Sequence, residues 1–253
     1  MTAIAGVIVG RVYPLRRIGS VAAELLLGAA CPGCDQPGLG LCPACRQQLV
    51  DPVPQTVTPT PCPVGFPITY AGGPYDELQR RLISAHKERQ AWLLTGALGD
   101  RLARSVDALA RRRPTDRPLV LVPIPSSAAA VRSRGRDATL ALTRHAVRRL
   151  RRQANRPMMV KPLLRPVRRL ADQSDLGAVE RRQNLAGAYA VRGLRSGRAF
   201  DGEVIIVDDL VTTGSSLTEA HRALLDADVP VLGAAVIAAT VRQRPSRAPG
   251  VDQ

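Results

Sequence analysis

The chain has 253 residues, enough for one core and a small appendage, and 45% of them are hydrophobic, which excludes a disordered protein. Its formal net charge is +15, almost wholly from arginine because Lys87 and Lys161 are the only lysines; such a balance favours polyanionic partners such as nucleotides, pyrophosphate or nucleic acid. Aromatics make up 3%, few for the base-stacking platforms of single-strand binders, and no apolar run approaches the roughly 20 residues that span a bilayer, so membrane insertion is not expected.

The amino terminus, MTAIAGVIVGR, has no basic residue ahead of its short apolar run, so a secretory signal is not expected and the protein reads as soluble and cytoplasmic. Residues 12–30 read as a short amphipathic helix. Cys31, Cys34, Cys42 and Cys45 follow as C-x2-C-x7-C-x2-C. Each pair can curl into a knuckle that points two thiolates at one ion, and four thiolates make the closed tetrahedral site that suits structural Zn2+. A disulfide pair and a redox C-x-x-C are the alternatives, and neither explains two copies so close together in a cytosolic chain. A metal site lost by divergence is the bland alternative. Cys62 stands apart as a free thiol.

Residues 1–50 are therefore read as an N-terminal helix and zinc-knuckle module. The proline-rich stretch 51–67 reads as a linker or an extended crossing strand, 68–243 as the main domain and 244–253 as a flexible tail. From Tyr75 to Arg113 apolar residues recur at helical spacing. The strand Leu119–Ile124, a loop with Arg132, Arg134 and Gly135, a helix over 138–152 and a strand near 158–163 come next. A polar stretch, 165–184, precedes strands at Ala188–Arg192 and Glu203–Asp209, a helix over 217–227 and a final strand over 230–239. Short apolar strands alternating with helices predict an α/β fold with a mostly parallel sheet covered on both faces.

The strand VIIVDD and the loop after it carry the chemistry. Four β-branched residues, Val204–Val207, suit a strand buried on both faces, and Asp208 and Asp209 stand towards its carboxyl end, where open α/β sheets bind ligands. Thr212, Thr213, Gly214, Ser215 and Ser216 then lead into a helix whose free N–H groups favour an anion. Hydroxyls and N–H groups suit one phosphate; two nearby carboxylates suit a diol, a metal ion or both. Together they describe a ribose 5-phosphate site. The bland alternative is a helix start in which Ser215 or Ser216 caps and Glu219 completes a capping box. It leaves two adjacent acids unexplained.

Other conspicuous residues read more plainly. His86 and His145 lack ligand spacing and are read as surface or core histidines, His221 as solvated and Trp92 as core. The runs 111–113 and 148–152 read as solvated arginines, with a nucleic-acid face as the alternative.

At Val204–Ser216 the sequence resembles the phosphoribosyl-pyrophosphate (PRPP) motif of type I phosphoribosyltransferases: an apolar strand, two acids, two variable positions, then T-T-G-x-[ST]. With the double C-x-x-C ahead of it, the chain is similar to ComF-family proteins. His86–Lys87, VPIP at Val122–Pro125, RSRG at Arg132–Gly135, and the string with Gln173, Leu176, Glu180, Arg181, Arg182 and Asn184 add to the resemblance.

The resemblance implies a type I phosphoribosyltransferase fold, a parallel sheet flanked by helices, behind the small zinc-knuckle module. Asp208 and Asp209 would hold the ribose hydroxyls directly or through Mg2+, and Thr212–Ser216 would cradle the 5-phosphate. The loop after Ile124, with Arg132 and Arg134, would face pyrophosphate. Residues 165–184 would form a closing loop, and Lys87, Arg181 and Arg182 are candidate anion contacts. The activity implied is pentosyl transfer from PRPP to an unknown nitrogen acceptor with release of pyrophosphate. ComF relatives are also associated with DNA uptake, so a non-catalytic module binding PRPP, nucleotide or single-stranded DNA, or DNA-uptake proteins, is the second implication. The chain departs from the pattern at Arg136, Asp137 and Ala138, where relatives often carry Phe, Asn and Gln; an aspartate there is unfavourable to pyrophosphate unless a cation offsets it. Thr212 also replaces the acid of purine-salvage relatives, which argues against that activity.

Overall fold

The computed structural model describes residues 30–89, 91–153, 156–167, 187–194 and 200–240. Its elements in chain order are α1 (Pro43–Val50), β1 (Gln55–Val57), β2 (Thr69–Ala71), α2 (Glu77–Glu88), α3 (Leu94–Ala110), β3 (Leu119–Pro123), α4 (Ala128–Arg134), α5 (Ala138–Leu150), β4 (Met158–Val160), β5 (Leu164–Pro166), β6 (Tyr189–Val191), β7 (Glu203–Val211), α6 (Ser215–Leu225) and β8 (Val231–Ala239). The helix read over 12–30 and the tail after 243 lie outside the described residues, as does most of the polar stretch, with Gln173, Leu176, Glu180, Arg181, Arg182 and Asn184.

A six-stranded sheet runs β1-β2-β8-β7-β3-β4, parallel throughout except for the edge strand β1, and β5 pairs with β6 as a separate antiparallel ribbon. Central β7 is apolar over four consecutive positions because both faces are covered. Ile205 and Val207 join the core beneath α2, α3 and α5, while Val204 and Ile206 join the core beneath α6. Leu119 and Leu121 of β3 and Ala235 and Ile237 of β8 point to the first face; Val120, Val122, Ala234 and Val236 point to the second. Leu98 and Leu102 of α3 are fully buried against the first face, where truncation to alanine costs about 2–5 kcal/mol each.

Several elements differ from the sequence reading for local reasons. The helical region over 75–113 is two helices: Asp76 caps α2 by accepting from the Gln79 N–H at 2.9 Å, and the chain turns at 89–93 before α3 begins. The segment read as a loop around Arg132 is the seven-residue helix α4, started by Ser127, which accepts from the Ala130 N–H, and stopped by Gly135 at φ 72°. The proline-rich stretch supplies β1, which pairs with β2. The strand near Met158 is short and hands over to the ribbon at Leu164. β7 runs two residues past Asp209.

The cysteine module docks through polar contacts, of which the Arg101 pair is buried. Arg101 of α3, 2% exposed, donates from Nη1 to Leu49 O at the end of α1 and from Nε to Ile237 O at 3.1 Å. Arg104 donates to Val50 O. Two guanidinium groups thus meet the negative end of α1. On the other side Arg81 of α2 pairs with Asp35 between the two cysteine pairs. Among the described residues no helix is long and apolar enough to cross a membrane.

Candidate functional site

Asp208 and Asp209 sit side by side near the carboxyl end of central β7, so they leave opposite faces of the sheet there. Asp209 is 3% exposed, and Lys87 Nζ at the end of α2 lies 2.6 Å from its Oδ2. Burial alone would raise the Asp209 carboxyl, but the Lys87 ammonium outweighs it and holds the group below its ordinary range. Lys87 shows the reverse balance: burial pulls it down, and the Asp209 and Asp208 charges hold it above its ordinary value. Among the described residues Asp208 has no such cation to itself. Burial, then the neighbouring Asp209 charge, push its carboxyl well above the usual range, even though its Oδ1 accepts from the Asp209 N–H at 2.9 Å. One carboxylate is neutralised and its neighbour is left short of a cation, an arrangement that suits a metal ion or a donor-rich diol.

The two acids open into a cleft of about 330 Å3. Its walls come from several elements. Asp208, Asp209, Thr212 and Ser216 form one; Ile124, Pro125, Ser126 and Ser127 after β3 form another; Lys87 and Arg134 supply cations; and Tyr189 of the ribbon closes a side. Arg134 donates from Nη2 to Glu88 Oε1 at 2.9 Å. The Tyr189 phenol shares the cleft lining with Ser216 and Asp208, and burial, then the Asp208 charge, raise it.

The hydroxyl loop is preformed. Gly214 adopts φ 76°, the left-handed region that a side chain disfavours, and a Cβ there would stand 2.7 Å from Phe66 Cε2 and 2.9 Å from Pro59 Cγ. The proline-rich stretch therefore packs directly against the loop. Thr213 Oγ1 and Ser215 Oγ are 3.0 Å apart. The capping alternative does not hold: Gly214 is the cap residue of α6, and no side chain caps it. Glu219 reaches neither serine. Its oxygens accept from Arg222 Nε and Nη2 at 2.8 and 2.7 Å and from the Tyr189 N–H at 3.3 Å, which ties the ribbon to α6. Gly214 thus offers no capping side chain, and the contact at the start of α6 is a long one, the Ser215 N–H donating to Thr213 Oγ1 at 3.5 Å.

Of the residues singled out in the sequence, Asp208, Asp209, Thr212, Ser216, Lys87 and Arg134 line one cleft. Thr213, Gly214 and Ser215 stand behind its rim, with Gly214 and Ser215 buried. Arg132 is exposed on α4 and is not a lining residue; Arg181 and Arg182 lie outside the described residues. The expected loop after Ile124 lines the cleft through Pro125, Ser126 and Ser127; sequence reasoning missed Tyr189 and Thr139, which carried no motif beyond ordinary strand and helix residues. The departure at Asp137 has a local explanation. It caps α5 by accepting from the Leu140 N–H at 3.0 Å, and it accepts from Ser126 Oγ at 3.0 Å and the Ser126 N–H at 3.4 Å. Its charge is turned onto the backbone of the cleft loop. Trp92 is not a plain core residue: its ring carries the Arg136 guanidinium, 3.6 Å from the centroid. His221 is not simply solvated either, since its Nδ1 donates to Gly65 O at 2.8 Å.

The second site is the cysteine cluster. The ligand atoms of Cys31, Cys34, Cys42 and Cys45 all lie within 4.8 Å of one another, so the four are positioned to bind a metal ion. The second pair is the first turn of α1: Cys42 caps it, Pro43 occupies N1, and the Cys45 N–H points at Cys42 Sγ at 3.4 Å. The Cys42 N–H points at Cys31 Sγ at 3.4 Å. Burial opposes ionisation of Cys31, but N–H groups of Cys42, Gly33 and Cys34 aimed at its sulfur bring the thiol down to about 7. Gly33 admits Cys45 and Leu78 so closely that a Cβ there would be 2.8 Å from Cys45 Sγ and 2.7 Å from Leu78 Cδ1.

No protein-family model matches the chain, and no curated protein matches it.

Proposed function

We propose that the cleft binds PRPP and that the protein is a phosphoribosyltransferase-like enzyme with a type I fold, transferring a pentosyl group to a nitrogen acceptor. One observation carries the reading: two adjacent carboxylates, a glycine-turned hydroxyl loop at a helix start, and two cations meet around one cleft. In this reading Asp208 and Asp209 hold the ribose hydroxyls. Thr212, Thr213, Ser215 and Ser216, with the first N–H groups of α6, hold the 5-phosphate. Lys87 and Arg134 face the pyrophosphate. Mg2+ bound with the substrate would neutralise pyrophosphate charge and would take Asp208 as a ligand or hydrogen-bond partner; the raised Asp208 carboxyl fits that demand.

The chemistry asks little covalent work of the chain. The nitrogen lone pair forms the bond to C1 as the C1–O bond to pyrophosphate breaks, and the electron pair leaves with pyrophosphate. The positive charge that develops at C1 needs a fixed ribose and a stabilised leaving group. The two aspartates and the hydroxyl loop fix the ribose. Lys87 exchanges its Asp209 contact for the pyrophosphate, which lets Asp209 accept from the diol.

We further propose that the cysteine cluster holds Zn2+ in a structural role, since four thiolates leave no position open for water. The experiment for the main proposal is pyrophosphate release from PRPP in the presence of Mg2+, with a panel of bases and amines. Release that is lost in Asp209→Asn is expected. PRPP binding without release from any acceptor would leave a binding module and remove the enzyme.

A further inference from the structure

Among the described residues the cleft's two cations come from different elements. Lys87 is on the last turn of α2 and Arg134 is the last residue of α4. Both stay on one wall only if the ends of these two helices are held together. Behind the cleft, a compact polar cluster joins them. His86, next to Lys87 and 1% exposed, has Nε2 at 3.0 Å from Thr95 Oγ1 and 3.3 Å from Arg136 Nη2. Arg136 Nη2 also donates to Thr95 Oγ1 at 2.9 Å. The Arg136 guanidinium lies over the Trp92 ring, and that ring meets His86 edge-on with centroids 5.5 Å apart.

The chemistry of the cluster is self-consistent. Burial and the Arg136 charge bring His86 down to about 4, so it is neutral and its Nε2 accepts from the guanidinium. A second tie, Arg134 to Glu88, joins the same two elements one residue beyond Lys87 on α2. Lys87 is therefore bracketed by His86, tied to Arg136 in the α4–α5 turn, and Glu88, tied to Arg134 at the end of α4. The planar guanidinium stacks on the indole while one of its nitrogens, Nη2, donates to both Thr95 and His86.

We infer that Arg136 is a positioning residue for the cleft: stacked on Trp92 and bonded to His86 and Thr95, it locks the end of α2 to the end of α4 and so fixes Lys87 and Arg134 on one anion-binding wall. The lock rests on geometry alone; the assignment of pyrophosphate to that wall rests on the proposed function.

Lys87 and Lys161 are the only lysines, which gives a ligand-free readout. Full-length protein is labelled with limiting acetic anhydride, and the Lys87:Lys161 acetylation ratio is read by mass spectrometry. Arg136→Met is expected to raise the ratio about fivefold, the equivalent of losing one net hydrogen bond's worth of closure. An unchanged ratio overturns the inference. If Arg136→Met does not fold, Thr95→Val is read the same way, and there too an unchanged ratio overturns it.

Calorimetry supplies the second arm. Arg136→Met should weaken pyrophosphate binding about tenfold and leave ribose 5-phosphate within about twofold, because only the cationic wall has shifted. Equal loss of both probes, with a lowered Tm, makes Arg136 a general structural residue and overturns the inference. A raised ratio in a protein whose wild type binds neither probe upholds the lock and removes the PRPP reading.

Discussion

Replacing Asp208 with asparagine should stabilise the protein at neutral pH. The carboxylate is half-buried beside Asp209, and Lys87, the nearby ammonium, lies against Asp209. The amide side chain of Asp208→Asn would keep the oxygen that accepts from the Asp209 N–H. Two unit charges about 5 Å apart repel by about 3 kcal/mol at an effective dielectric constant of about 20. Asp208 is only partly buried and solvent screens it, so about 1–2 kcal/mol is the expected gain. For a chain of this size that corresponds to a rise in Tm of roughly 2–8 °C.

The pH dependence of that gain follows from the sign of the shift. The Asp208 carboxyl is raised in the folded state, so the native protein binds the proton more tightly than the unfolded chain does. Wild-type stability from this group is complete below the unfolded pKa of about 3.9 and is lost as pH rises through the folded value. The advantage of Asp208→Asn is therefore largest at neutral pH and disappears on acidification. Urea unfolding at several pH values in Mg2+-free buffer measures it. A variant less stable than wild type at neutral pH, or a gain that does not shrink with acid, would refute the account of two carboxylates sharing one cation.

Gly214→Ala should destabilise by about 1–3 kcal/mol and weaken ligand binding, because alanine at φ 76° is strained and its Cβ meets Phe66 and Pro59; thermal melts and calorimetry check both. Elemental analysis should find one zinc per chain, and Cys45→Ser should lose it. Because α1 buries Leu49 on the core and receives Arg101, chelation should also lower Tm by several degrees. A Tm indifferent to chelation would make the cysteine cluster incidental to the fold.

The central strand and its loop were legible because their signals are local. A strand covered on both faces is apolar over consecutive positions, as at Val204–Val207, and Gly214 at φ 76° favours glycine at the turn into α6. The cysteine spacing likewise fixes a cluster with little help from the rest of the chain. What escaped depends on distant parts of the chain meeting. Tyr189 reaches the cleft because Glu219, thirty residues later, binds its N–H. Phe66 abuts Gly214 across the fold, which no pattern in the proline-rich stretch announces. Asp137 looked like a misplaced charge beside an anion site, yet its oxygens are occupied by Leu140 and Ser126. The short helix α4 was marked by Ser127 and Gly135, but seven residues give no amphipathic period to find.

The most direct test of the account is calorimetric titration of PRPP with Mg2+ into wild type and into Asp208→Asn/Asp209→Asn. Removing both charges should weaken binding by about tenfold or more while the protein remains folded. Equal affinity in the two proteins would contradict the assignment of the ribose to this pair of aspartates.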